Sequence, residues 1–154
     1  MAAYVLDTSA VVKRYIQETG TSWVRGIADP AAFNLIYLAR ITDVEVTSAV
    51  VRRQRGGNLS VPDAAATLQQ FRQDLTRGYR LIEVTPALLA TVRSLAERRG
   101  LRAYDAVQLA AAVELNAQRI AAGTGTITLV SPDQELNAAV LAEAVPVEDP
   151  NSHP

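Results

Sequence analysis

The sequence predicts an α/β fold, a central and mainly parallel sheet of four to five strands between two layers of helices. Three observations predict it. Short, near-continuous apolar runs, such as residues 2–6 and 127–130, carry the signature of strands buried on both faces. Longer amphipathic segments lie between them, and strands alternating with helices imply parallel pairing covered on both sides. The length of 154 residues suits one domain with one sizeable core.

The elements follow in order. Residues 2–6 form the first strand, and Thr8 or Ser9 can cap the helix that follows and ends near Ile16. Residues 21–28 read as a second, short helix stopped by Asp29-Pro30, and residues 32–36 as the second strand. An amphipathic helix spans residues 42–55, with Val44, Val46, Ala49 and Val50 apolar and Gly56-Gly57 at its end. Ser60 caps the next helix, Pro62 lies in its first turn, and Gly78 closes it after Arg77. Residues 80–84 form the third strand. Thr85 as N-cap and Pro86 at the first helical position open a helix that Gly100 closes. An Ala-rich helix covers residues 103–117 or slightly beyond, with Val107, Leu109, Ala110 and Val113 inward and small side chains that allow close approach to a neighbour. Residues 127–130 are the fourth strand, residues 134–144 the last helix, and residues 145–148 a short edge strand limited by Pro146. The domain is therefore expected over residues 1–148, with the polar, Pro-containing segment 149–154 as a disordered tail.

Composition narrows the chemistry. The chain has no Cys, which excludes disulfides, thiolate zinc sites and a cysteine nucleophile. Its single histidine, His153, lies in the tail, which weighs against histidine base catalysis and a Ser-His-Asp triad. No basic stretch followed by a long apolar run opens the chain, and no apolar run approaches the roughly 20 residues that span a bilayer. A cytoplasmic protein without a membrane partner is the expectation. The net charge of −1 does not itself indicate nucleic-acid binding. Lys13 is the only lysine, and arginines cluster at Arg52, Arg53 and Arg55 and again at Arg98, Arg99 and Arg102. A solvated helix face is the commoner meaning of such clusters. Arginine's planar fork suits phosphate, and that reading gains weight only beside an acidic site.

Four acids supply such a site. Asp7 and Asp133 follow apolar strand runs, at the carboxyl ends where α/β sheets bind ligands. Glu45 lies between Val44 and Val46, and Asp105 interrupts the apolar pattern of residues 104–112. Each has a bland reading. Asp7 and Asp133 could be N-caps, Glu45 a solvated helix residue, and Asp105 a first-turn acid favoured by the helix dipole or paired with Arg102. Asp43 reads better as a first-turn acid than as a site residue. A carboxylate buried alone costs several kcal/mol, so such groups are paired, protonated or bound to a metal. Four that converge point to a divalent cation with oxygen ligands. Gly123-Thr124-Gly125 lacks the lysine of a P-loop.

These residues resemble a PIN domain, and in particular a VapC-type toxin ribonuclease. The resemblance runs from Val5 to about Val147. It is carried by Val5-Leu6-Asp7-Thr8-Ser9-Ala10, by Glu45 followed by Val46-Thr47-Ser48-Ala49, by Leu101-Arg102-Ala103-Tyr104-Asp105-Ala106-Val107-Gln108-Leu109-Ala110, and by Leu129-Val130-Ser131-Pro132-Asp133. It implies a metal-dependent endoribonuclease in which Asp7, Glu45, Asp105 and Asp133 surround one or two Mg²⁺ or Mn²⁺ ions. Ser9 and Ser131 match polar positions that support those acids, and Arg14, Arg52 and Arg102 are the candidates for holding the RNA backbone. Gln108 stands where relatives often have histidine, and Pro132 is less usual in the last motif. The divalent ions of such a site, about 4 Å apart when two are bound, acidify water for in-line attack at phosphorus and stabilise the leaving oxygen. The resemblance further implies a VapB-like antitoxin whose C-terminal segment covers the site, a homodimer, and promoter DNA bound only through the antitoxin. The alternatives are an RNA-processing PIN nuclease without an antitoxin, a Mg²⁺-dependent phosphotransferase or phosphatase with Asp7 as nucleophile, and a decayed binding module.

Overall fold

The structure, a computed structural model, describes residues 1–153. Its centre is a five-stranded sheet in the order β3-β2-β1-β4-β5, parallel throughout. The strands are β1 (Ala3–Leu6), β2 (Leu35–Ala39), β3 (Arg80–Ile82), β4 (Thr128–Val130) and β5 (Val147–Glu148). Seven helices connect them: α1 (Thr8–Tyr15), α2 (Thr21–Ile27), α3 (Thr42–Arg55), α4 (Val61–Arg77), α5 (Pro86–Arg99), α6 (Ala103–Ala121) and α7 (Gln134–Ala142). Among the described residues, no helix is long and apolar enough to cross a membrane.

Period-two alternation along the strands splits the core into two. Ala3 and Val5 of β1 and Leu129 of β4 face a cluster built by α5, α6 and α7. Leu6 and Val130 face the opposite cluster, with α1, α2, α3 and α4. The sheet is thus sandwiched, which is why its strands read as continuous apolar runs. Ala106 and the run Leu109–Ala112 are buried to the last atom on α6, where small side chains let the helix lie close against α5 and the sheet. Caps act where the sequence places them: Ser60 Oγ accepts from Asp63 N–H at 3.1 Å, and Thr85 Oγ1 accepts from Leu88 N–H at 3.1 Å.

Two expectations are corrected. The second strand begins at Leu35, not residue 32. Asp29 caps a 3₁₀ turn over Pro30–Ala32, and Phe33 adopts φ +53°, so residues 30–33 cannot be extended. The tail does not fray as far as His153. Asp149 caps a second 3₁₀ turn over Pro150–Ser152, His153 stacks on Trp23 at 4.3 Å between centroids, and its Nε2 lies 3.0 Å from Glu148 Oε2. Gly20, at φ +84°, allows this approach, because a Cβ there would sit 2.2 Å from the Pro150 carbonyl oxygen.

Candidate active site

The strand order reverses between β1 and β4, and their carboxyl ends lie side by side through the pairing of Leu6 with Val130. An open α/β sheet forms its ligand crevice at this topological switch. Asp7 leaves β1 there, and Ser131 and Asp133 leave β4. Asp7 is the N-cap of α1: its Oδ1 accepts from Ala10 N–H at 2.7 Å. Its Oδ2 accepts from Ser131 Oγ at 2.7 Å. The same Ser131 Oγ accepts from Asp133 N–H at 3.0 Å, and Asp133 Oδ1 caps α7 by accepting from Leu136 N–H at 3.0 Å. Asn137 Nδ2 donates to the Ser131 carbonyl at 2.8 Å and holds this loop from below.

Glu45 and Asp105 reach the crevice from helix starts. Glu45 is on the first turn of α3, and its Oε2 accepts from Thr8 Oγ1 at 2.6 Å and Gln108 Nε2 at 3.1 Å. Gln108 Nε2 also donates to Thr42 Oγ1 at 3.0 Å, while Gln108 Oε1 is buried without a partner. Asp105, on the first turn of α6, is half-buried. All four acids line one cleft of about 590 Å³, together with Thr8, Gln108, Arg52 and Arg102.

Charge in this cleft is costly. Burial pushes the Asp7 carboxyl up from 3.8 to about 7, the bonds from Ala10 and Ser131 oppose the rise, and Asp133 and Asp105 add to it. Burial also raises Asp105, reinforced by Asp133 and Glu45 and opposed by Arg102. Such displaced carboxylates make this cleft the candidate functional site.

Several sequence expectations change here. Thr8 and Ser9 do not cap α1; Asp7 does so itself while keeping Oδ2 on Ser131, so capping and site roles coexist. Ser131 supports two acids, whereas Ser9 is exposed and lines the cleft, and Thr8 beside it is the residue bonded to an acid. Val44 is not a core residue of α3 but 69% exposed at the cleft. Arg14 lies away from the cleft, donating to Tyr79 Oη at 2.7 Å and pairing with Asp74 at 3.4 Å. Arg53 reaches the cleft but pairs with Glu18 at 2.8 Å, and Arg98 and Arg99 both pair with Glu143. Arg52 and Arg102 are exposed and form no ion pair among the described residues. Thr8 and Gln108 were missed as site residues because their bonds to Glu45 cross 37 and 63 residues of chain, with no local signal.

The donor set fits a hard divalent cation, since the cleft offers carboxylate, hydroxyl and amide oxygens and no sulfur or imidazole. No three carboxylates among the described residues are spaced to hold an ion by themselves. A hard divalent ion placed there would need waters or substrate phosphate to complete its coordination.

Comparison with known proteins agrees with this architecture. The PIN domain family model matches residues 4–131. No curated protein matches the chain. Among solved structures, PAE2754 from Pyrobaculum aerophilum aligns with TM-score 0.64 at 20% identity, covering 99% of this chain and 86% of that one. VapBC2 from Rickettsia felis, bound to a DNA fragment from its promoter, aligns with TM-score 0.64 at 16% identity over 96% of this chain and 98% of that one. A toxin–antitoxin complex from Klebsiella pneumoniae aligns with TM-score 0.62 at 17% identity over 96% and 97% respectively.

Proposed function

The chain belongs to the PIN domain family, whose members are generally nucleases, and from that premise we propose that it is a VapC-like endoribonuclease dependent on Mg²⁺ or Mn²⁺. One observation carries the reading: four acids from four separate elements line a single cleft at the switch point of the sheet, one of them buried and near neutrality. Asp7, Glu45, Asp105 and Asp133 would hold the ion or ions. When bound, such an ion supplies Lewis-acid stabilisation of phosphate charge and lowers the pKa of an attacking water.

The chain's own residues prepare for that step. Ser131 fixes the Asp7 and Asp133 ends of the site relative to each other. Thr8 and Gln108 both bond Oε2 of Glu45, which turns its carboxylate and leaves Oε1 free for a ligand. A cation beside Asp7 would favour its ionised form and offset the burial that raises it. Arg52 and Arg102, at the rim, would take backbone phosphates.

The likeness to a VapBC assembly and to a toxin–antitoxin complex supports a VapB-like antitoxin as partner, with homodimerisation, promoter binding through that antitoxin and a cytoplasmic setting as further parts of the reading. The test is cleavage of a mixed RNA pool with Mn²⁺, with EDTA, and by Asp7→Asn. Metal-dependent cleavage lost in Asp7→Asn supports the proposal. Cleavage that survives the substitution, or none under any condition, refutes it.

A further inference from the structure

Two apolar side chains stand exposed in the acidic cleft. Tyr104 is 58% exposed and Val44 is 69% exposed, and half-buried Ile41 lies with them in the lining. Single exposed apolar residues are ordinary on any surface. These two are not scattered. Each directly precedes a cleft acid in the first turn of its helix, Val44 before Glu45 on α3 and Tyr104 before Asp105 on α6. Both apolar residues and both acids line the one cleft.

The other tyrosines are occupied. Tyr4, Tyr15 and Tyr79 pack against aromatic rings, and Tyr37 packs against the core. Tyr104 alone among the five is exposed, and its ring has no aromatic neighbour. Arg52 and Arg102, both exposed and in no ion pair among the described residues, line the same cleft. The cleft therefore offers oxygen ligands, phosphate-directed cations and a bare aromatic face within one space. A nucleotide presents the complementary set: a charged phosphate and a flat base.

We propose that Tyr104 is the seat for one unpaired nucleobase of the RNA beside the phosphate to be cut, with Val44 lining the same cleft. This rests on the nuclease reading and assigns Tyr104 a role in holding the substrate. A base inside a duplex has both faces covered by its neighbours, so a stacking seat selects single strands, loops and ends. Stacking tolerates any base, so the seat selects strandedness more than sequence.

The experiment measures binding of a fluorescein-labelled single-stranded oligoribonucleotide with Mn²⁺, in the Asp7→Asn background so that the strand stays intact. Tyr104→Ala is expected to weaken binding about 10-fold, and Tyr104→Phe, which keeps the ring, to stay within about twofold of the parent. An abasic linker walked along the strand should reproduce the loss at one position, and there add nothing to Tyr104→Ala. Duplex RNA binding should be insensitive to Tyr104→Ala. If Arg52→Ala weakens binding while Tyr104→Ala does not, the base seat is refuted and the nucleic-acid reading stands, with Tyr104 and Val44 left as a protein-docking lip. Equal loss for duplex and single strand also refutes the seat. If no variant, parent included, binds RNA, the nuclease reading itself fails.

Discussion

Asp7→Asn should stabilise the metal-free protein at pH 8 and leave it nearly unchanged at pH 4. Asp7 is raised in the folded protein from 3.8 to about 7, chiefly by burial. The native state therefore holds a proton that the unfolded chain releases between those values, and stability falls as pH rises through that window. Below about pH 4 both states are protonated and no penalty exists. Above about pH 7 the full penalty applies, and roughly three pH units at about 1.4 kcal/mol each set a ceiling of ~4 kcal/mol. Relaxation around the carboxylate reduces this, so a gain of about 2 kcal/mol is expected, or a melting temperature higher by roughly 4–8 °C in a chain of this size. Asparagine keeps the cap, because its Oδ1 can still accept from Ala10 N–H, and its amide can donate to Ser131 Oγ. The assay is thermal unfolding in EDTA of both proteins across pH 4–8. A substitution that lowers the melting temperature at pH 8, or raises it equally at both ends, would refute the assignment of a buried, charge-penalised Asp7.

Ser131→Ala removes the donor to Asp7 Oδ2 and the acceptor for Asp133 N–H, and should cost ~1–3 kcal/mol in urea unfolding while driving the Asp7 pKa still higher. Thr8→Val keeps the volume but frees one side of Glu45, so calorimetry should show Mn²⁺ affinity reduced about 10- to 100-fold with little change in melting temperature; unchanged affinity would count against the clamp. Gly20→Ala places a Cβ against the Pro150 carbonyl in a left-handed conformation, and should destabilise by ~1–3 kcal/mol and detach His153 from Trp23, read as a change in the single tryptophan's fluorescence.

The layers of this fold were legible because local signals and tertiary needs coincide. Ser60 and Thr85 cap where the pattern requires, and Leu6 and Val130 show the double burial of central strands. The start of β2 was not legible, since residues 31–39 are apolar almost throughout and only the left-handed Phe33 and the pairing of Leu35 with Ala3 decide where extension begins. The four acids were visible as charges beside apolar runs. Their supports were less so: Ser131 shares a motif with Asp133, but Thr8 and Gln108 find Glu45 only after α1, α3 and α6 have packed. Arg14 illustrates the converse, since its nearness to Asp7 along the chain ends one helix face later in the Tyr15, Asp74 and Tyr79 network. The seating of the tail was not legible, because its anchors, Gly20 and Trp23, lie far from it along the chain.

The pairing of β1 with β4 joins residues 4–6 to residues 128–130, so the central strand waits for the far end of the polypeptide before its second edge is covered. During synthesis the segment through β3 can settle while Asp7 still lacks Ser131, whose bond spans 124 residues. A carboxylate cleft built this way cannot be assembled on a partly made chain. Any product truncated ahead of β4 would lack both the Ser131 tether and Asp133.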